Sequence, residues 1–306
     1  MRIVFMGTPD FAVASLKALL DAGENVVAVI TAPDKPAGRG QKLNQSAVKV
    51  FAEANGLPVL QPEKLRDPSF IEDLKSYQAD LQVVVAFRML PELVWNMPPM
   101  GTINVHASLL PQYRGAAPIN HAVINGEKES GVTTFLLQHE IDTGNILLAT
   151  KVDINETDNA GILHDKLMLA GAETLVRTID GLRNNSIKPV PQENLSIENL
   201  KHAPKIFKED CLINWKNTTE SIYNLTRGLS PYPTAFTYLN NKVLKIFEAE
   251  KELTNHSSEA GSILSDGKSF LKYATIDGYL NLKIIQIEGK KRMEINDFLK
   301  GYRFEK

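Results

Sequence analysis

The sequence predicts an α/β protein in two parts, a parallel sheet covered on both faces by helices and then a small β-barrel. Three observations lead there. Short apolar runs alternate with helix-spaced segments through the first part of the chain. The run at residues 81–86 is apolar at nearly every position, as a strand buried on both faces requires. Beyond residue 204 the pattern changes to short strands separated by Asn240-Asn241, Asp266-Gly267 and Asp277-Gly278 turn signals.

Residues 2–6 form an apolar run closed by Gly7 and Pro9. Phe11, Ala12, Leu16, Leu19 and Leu20 follow at helical spacing, and residues 25–31 read as a second strand, so the chain opens as a βαβ unit. Helix-like residues 47–55, strand-like 58–60, helix-like 68–77 and the strand at 81–86 continue the alternation. Residues 184–204 lapse into Asn, Ser, Pro and Glu, which reads as a linker and sets the expected domains at 1–183 and 205–306. One helix at 219–229 precedes strands at 235–239, 242–248, 262–264, 270–274 and 279–288.

A length of 306 residues, with 43% hydrophobic and 23% charged residues, fits two globular domains and excludes global disorder. No apolar run approaches the ~20 residues of a membrane span, and the apolar start is too short for a signal-peptide core, so a cytoplasmic location is expected. Cys211 is the one cysteine, which excludes an intramolecular disulfide and a Cys-based zinc cluster. The histidines lack metal-ligand spacing, so no metal site is expected. The net charge of −2 divides unevenly: 18 Lys and Arg face 23 Asp and Glu before Pro204, against 16 and 13 from Lys205 onward. That slight basic excess permits a polyanionic partner for the second part but also fits a solvated surface.

The first turn, Gly7-Thr8-Pro9-Asp10, has a single glycine where a dinucleotide fingerprint needs three, and no P-loop is present. Nicotinamide and phosphoryl-transfer chemistry therefore lack support. Residues 101–115, GTINVHASLLPQYRG, are the most informative. On a strand over 102–106, Ile103 and Val105 share one face while Asn104 and His106 share the other. An amide and an imidazole then stand together at the strand's C-terminal end, where open α/β sheets bind ligands. The amide can donate to a developing oxyanion and the imidazole can exchange a proton near neutral pH, as acyl-type transfer demands. Asp142, in the turn Asp142-Thr143-Gly144, can supply a carboxylate that orients the ring and favours its cationic form. Taken singly, the Asn-x-His pair also fits strand-end groups bonded to backbone, and Asp142 also fits a turn former.

The segments GTPDFA at 7–12, PDKPAGRGQKL at 33–43, INVHASLLPQYRGAAPI at 103–119, IDTGNIL at 141–147 and HAPKIFKED at 202–210 closely resemble the methionyl-tRNA formyltransferases, a branch of the folate-dependent formyltransferase family. The Asn-x-His, SLLP and Asp-Thr-Gly set is shared by folate-dependent formyltransferases in general. The PAGRG loop and the C-terminal part narrow it to the tRNA branch.

The resemblance implies a Rossmann-like formyltransferase domain followed by an OB-like β-barrel that binds tRNA. It also implies 10-formyltetrahydrofolate as donor and the α-amino group of initiator methionyl-tRNA as acceptor; no metal, no membrane partner and a monomer are expected besides. Asn104, His106 and Asp142 fall on the family's catalytic positions, and Ser108, Leu109, Leu110 and Pro111 on its folate-contacting segment. Phe87, Arg88, Met89 and Leu90 resemble the pterin-facing stretch, although that stretch is one residue shorter than usual here and carries an arginine, as in the related glycinamide ribonucleotide formyltransferases. Phe11, Lys35, Arg39 and Lys42 are expected on the tRNA and acceptor side. The last three sit on a Gly- and Pro-rich loop whose cations could hold phosphates, and which alone would read as a solvated loop. The competing readings are a related folate-dependent transferase or hydrolase acting on a small amine, and a catalytically idle RNA-binding protein with the same fold.

Overall fold

The computed structural model describes residues 1–37, 42–195 and 199–302, and at Pro36, Ala37, Lys42 and Leu43 the backbone alone. Its elements begin β1 (Arg2–Gly7), α1 (Asp10–Asp21), β2 (Asn25–Ile30), β3 (Lys35–Ala37), β4 (Lys42–Asn44), α2 (Ala47–Ala54), β5 (Val59–Leu60), α3 (Pro68–Ser76) and β6 (Leu81–Val85). They continue with α4 (Glu92–Trp95), β7 (Thr102–His106), β8 (Arg114–Gly115), α5 (Pro118–Ile124), β9 (Glu129–Leu136), β10 (Ile146–Asp153), α6 (Ala160–Arg183) and β11 (His202–Ala203). The last are α7 (Thr219–Gly228), β12 (Ala235–Leu239), β13 (Lys242–Leu253), β14 (Ile263–Ser265), β15 (Leu271–Ala274), β16 (Gly278–Ile287), β17 (Met293–Glu294) and α8 (Ile295–Gly301). The chain divides into two compact units, residues 1–115, 130–152 and 164–202 in one and residues 116–129, 153–163 and 203–306 in the other.

The first unit holds a seven-stranded sheet in the order β10-β9-β7-β6-β1-β2-β5. Strands β7, β6, β1, β2 and β5 run parallel, as the alternating pattern predicts. Ile3 through Met6 and all of β6 are buried, the signature of strands covered on both faces. β9 adds to β7 antiparallel, so the sheet is mixed at one edge. Gly7 lets α1 start directly after β1, since a Cβ there would stand 2.5 Å from the Cβ of Ala12. All five parallel strands point their C-terminal ends to one edge, which gathers the turns after β1, β2, β6 and β7.

The loop expected at residues 33–43 contains a hairpin: β3 pairs antiparallel with β4, Lys35 facing Asn44 and Ala37 facing Lys42. Gly and Pro mask strand propensity there, which is why the sequence reads as a plain loop. Three contacts tie its roots. The Asp34 carboxylate accepts from Lys49 Nζ at 2.6 Å and Gln61 Nε2 at 2.7 Å, and the hydroxyls of Thr31 and Ser46 lie 2.7 Å apart. Ser46 also caps α2 by accepting from the Lys49 backbone N–H.

In the second unit, β12-β13-β16-β15-β14 form one antiparallel sheet with β17 on β16, a half-barrel. The two-residue turn Asn240-Asn241 joins β12 to β13 with both φ values positive, at 47° and 59°, the conformation that favours Asn in hairpin turns. Leu229, Leu244, Ile246, Leu271, Leu280, Leu282 and Ile285 make its core, and Trp215 stacks on Tyr273 at 4.4 Å. Cys211 is buried there, and burial pushes its thiol pKa up, away from reactivity.

Candidate active site

Strand β7 places Ile103 and Val105 in the core and turns Asn104 and His106 to the opposite face, as alternation requires. His106 is 6% exposed. Its Nε2 lies 2.9 Å from the carbonyl oxygen of Tyr113. A carbonyl only accepts, so Nε2 carries the proton and, in the neutral ring, Nδ1 presents a lone pair. That Nδ1 lies 3.8 Å from Oδ2 of Asp142. Asp142 adopts a left-handed backbone with φ 56°, and the same Oδ2 accepts the Gly115 N–H at 3.0 Å. The carboxylate is thus held within Coulombic reach of the imidazole while keeping only 13% of its side chain exposed. Asn104 is half-buried, and its side-chain amide has no partner among the described residues, which leaves it free to donate to a ligand.

The turn that presents Asp142 depends on Gly144, where a Cβ would meet the Leu136 carbonyl oxygen at 1.7 Å. No other residue fits without moving backbone. The loop after β7 is fastened in the same manner by local polar groups. Thr133 donates its hydroxyl to the Ser108 carbonyl at 2.7 Å and accepts the Leu110 N–H at 3.1 Å, while the Ser108 hydroxyl donates to the Gln112 carbonyl at 2.6 Å. Ser108, Leu110 and Pro111 are buried and Leu109 is half-buried.

The stretch after β6 divides by residue. Phe87 is half-buried against the core, Leu90 belongs to the core, and Met89 is 73% exposed. The Arg88 guanidinium is engaged with backbone: it donates to the Glu63 carbonyl at 2.8 Å and to the Pro62 carbonyl, and lies over the Phe87 ring at 5.6 Å. Burial lowers its pKa from the ordinary arginine value. Of the residues expected on the acceptor side, Phe11 is 6% exposed and meets the His164 ring edge-on at 5.2 Å. Lys35 is exposed at the start of β3. Arg39 lies outside the described residues, as does the side chain of Lys42.

One residue beside Asp142 carries no signal in the sequence. Gln192, in the segment that reads as a linker, is 4% exposed and donates from Nε2 to the carbonyls of Asp142 at 2.9 Å and Gly144 at 2.8 Å. Its Oε1 accepts from Arg114 Nε at 3.0 Å and from an Arg114 terminal nitrogen at 2.6 Å. Nothing local in PVPQEN distinguishes this glutamine, because its partners lie far off in the sequence. Among the described residues no group of His, Cys, Asp and Glu is placed to hold a metal ion, and no helix is long and apolar enough to cross a membrane.

Comparison with known proteins agrees along the whole chain. Residues 1–179 match the formyl transferase family and residues 205–303 match its C-terminal domain. The chain is 52% identical over 99% of its length to methionyl-tRNA formyltransferase of Bacteroides thetaiotaomicron, covering 96% of that protein. It is 57% identical to the enzyme of the same name from Phocaeicola vulgatus, with the same coverage of both chains. Among solved structures, HypX from Aquifex aeolicus in complex with tetrahydrofolic acid superposes with a TM-score of 0.66 at 19% identity, over 98% of this chain and 48% of that one, so the chain spans about half of HypX. The sugar 3N-formyl transferase WlaRD gives a TM-score of 0.66 at 22% identity, over 95% of this chain and 99% of the other. These two likenesses speak for the fold. Both family domains in order, at more than half identity from end to end, leave one assignment: the chain belongs to the methionyl-tRNA formyltransferase family.

Proposed function

We propose that this protein transfers the formyl group of 10-formyltetrahydrofolate to the α-amino group of methionine esterified to initiator tRNA. The observation that carries the reading is the Asn104 amide, without a partner among the described residues, on the strand face it shares with His106 and near Asp142, at the C-terminal end of a parallel strand, in a chain of this family. The amine attacks the formyl carbon, the new C–N bond forms, and the carbonyl electrons move to oxygen. Asn104 donates to that oxyanion. One amine proton passes to the His106 and Asp142 pair, the bond from the formyl carbon to N10 breaks, and N10 takes up a proton as tetrahydrofolate leaves. Because Nε2 of His106 is committed to the Tyr113 carbonyl, the exchangeable position is Nδ1, facing Asp142.

The donor is taken by Ser108, Leu109, Leu110 and Pro111 on one side and by the strip Phe87 to Leu90 on the other, with Arg88 anchoring that strip. The acceptor end enters past Phe11 and the hairpin that carries Lys35, Arg39 and Lys42. Residues 1–183 serve as the catalytic domain, 184–204 as the connection, and 205–306 as the tRNA-binding domain, whose slight basic excess supplies phosphate contacts of low specificity.

The test is formylation by the purified protein with 10-formyltetrahydrofolate, offered charged initiator tRNA, charged elongator tRNA and an amino sugar nucleotide in parallel. Product on initiator tRNA alone is expected. Turnover of the amino sugar without turnover of tRNA would overturn the reading.

A further inference from the structure

The carboxylate of Asp142 is only as well placed as the turn that carries it. That turn is exposed at Glu140 and Ile141, and Asp142 itself holds a left-handed backbone that a non-glycine residue adopts at a cost. What fixes it arrives from a distant segment. Val190 and Ile146 exchange two backbone hydrogen bonds of 2.8 Å, which dock residues 190–194 beside the start of β10. Gln192, on the single 3-10 turn that follows, reaches the Asp142 turn from there.

We infer that Gln192, oriented by Arg114, is a positioning residue that holds the Asp142 carboxylate in register with His106. The inference rests on the role given to Asp142 in the proposed function. Its support is the chemistry of the amide. Carbonyls accept and a guanidinium donates, so only one orientation of the Gln192 amide satisfies all four contacts: its NH₂ on the Asp142 and Gly144 carbonyls, its oxygen on Arg114. Arg114 therefore selects the amide orientation that clamps the turn. Its neighbour Gly115 holds the same aspartate by the side chain. Residues 114 and 115 thus grip Asp142 twice, once directly and once through Gln192.

The isosteric variant Gln192→Glu separates this role from packing. It keeps the shape and the Arg114 partner, but turns an oxygen toward two carbonyl oxygens and so repels the turn. Gln192→Ala removes the clamp without repulsion and serves as the second variant. Both are compared with wild type, Asp142→Asn and the double variant Gln192→Glu/Asp142→Asn, in single-turnover formylation of charged initiator tRNA and in thermal melts. The expected result is a kcat lowered about tenfold in each Gln192 variant, or about 1.4 kcal/mol of barrier. Donor KM should stay within about twofold, and Gln192→Glu should cost nothing further once Asp142 is Asn. A wild-type kcat in both Gln192 variants beside an impaired Asp142→Asn would overturn this inference alone. So would full additivity in the double variant, which marks a general loss of structure. A wild-type rate for Asp142→Asn would overturn the role of Asp142 and this inference with it.

Discussion

Asp142 Oδ2 stands 3.8 Å from His106 Nδ1, near enough for charge to act between them and too far for a hydrogen bond in the resting geometry. A proton on Nδ1 would draw the two together. The pair is therefore expected to behave as one unit. His106→Ala should lower kcat roughly 10²-fold to 10⁴-fold, the usual range for a positioned acid or base. Asp142→Asn, added to it, should cost far less than it does alone. Single-turnover rates of the two single variants and the double decide the matter. Strictly multiplicative losses would mean that the residues act independently.

Asn104 shares its strand face with His106, and its amide has no partner among the described residues. Asn104→Ala is expected to lower kcat by ~10²-fold to 10³-fold, about 2.7–4 kcal/mol, because one oxyanion donor is lost. Donor affinity should barely change, since the formyl oxygen carries little charge until attack begins. Steady-state kinetics with varied donor separates the two effects. A large rise in KM at constant kcat would recast Asn104 as a ground-state binding residue.

Arg88 is fastened to the carbonyls of Pro62 and Glu63, so its loss should be felt first in stability. A net value of about 0.5–1.5 kcal/mol per hydrogen bond gives Arg88→Ala a melting temperature lower by a few degrees. Arg88→Lys should recover only part of it, because an ammonium lacks the planar fork that reaches two carbonyls. Donor KM should rise less than about threefold, a loss below roughly 0.7 kcal/mol. Unchanged melting with a much larger rise in KM would make Arg88 a direct donor contact instead.

How much of this could be read in the sequence follows from the range of the interactions involved. Apolar runs such as residues 3–6 and 81–85 announce strands because the burial that shapes them is set residue by residue. The face shared by Asn104 and His106 is equally legible, since alternation is a property of the strand alone. Strand β9 is less legible: it is buried on both faces, with the polar Thr133 on one and Thr134 on the other, so neither a continuous apolar run nor a polar-apolar alternation marks it. The hairpin β3–β4 reads as a loop because Pro36 and the glycines that follow are poor strand formers. Gln192 is the extreme case. Its partners Asp142 and Gly144 lie 50 and 48 residues away, and only the folded chain brings them together.

The hairpin roots give the last prediction. Asp34 immediately precedes β3, and its carboxylate is gripped by Lys49 and Gln61. The hydrogen bond from Lys49, and then that from Gln61, holds the Asp34 pKa below the usual carboxylate range. A carboxylate whose folded pKa is depressed stabilises the fold fully above its unfolded value, near pH ~4, and loses that contribution as pH falls through the folded value. The melting temperature of wild type should therefore exceed that of Asp34→Asn at pH 7, and the gap should close as pH drops below about 4. At neutral pH the same variant is expected to loosen the root of the β3–β4 pair, which includes Lys35 and Lys42, without touching Asn104, His106 or Asp142. Asp34→Asn is expected to weaken formylation of charged tRNA while sparing a small methionyl-ester acceptor. Arg39→Ala, whose residue lies outside the described structure, should show the same split, with a loss on tRNA of at least tenfold, about 1.4 kcal/mol. Parallel assays with both acceptors, on variants whose circular dichroism matches wild type, read the split directly. Equal losses on tRNA and on the small acceptor would show that the hairpin serves the chemical step or the fold and not the choice of tRNA.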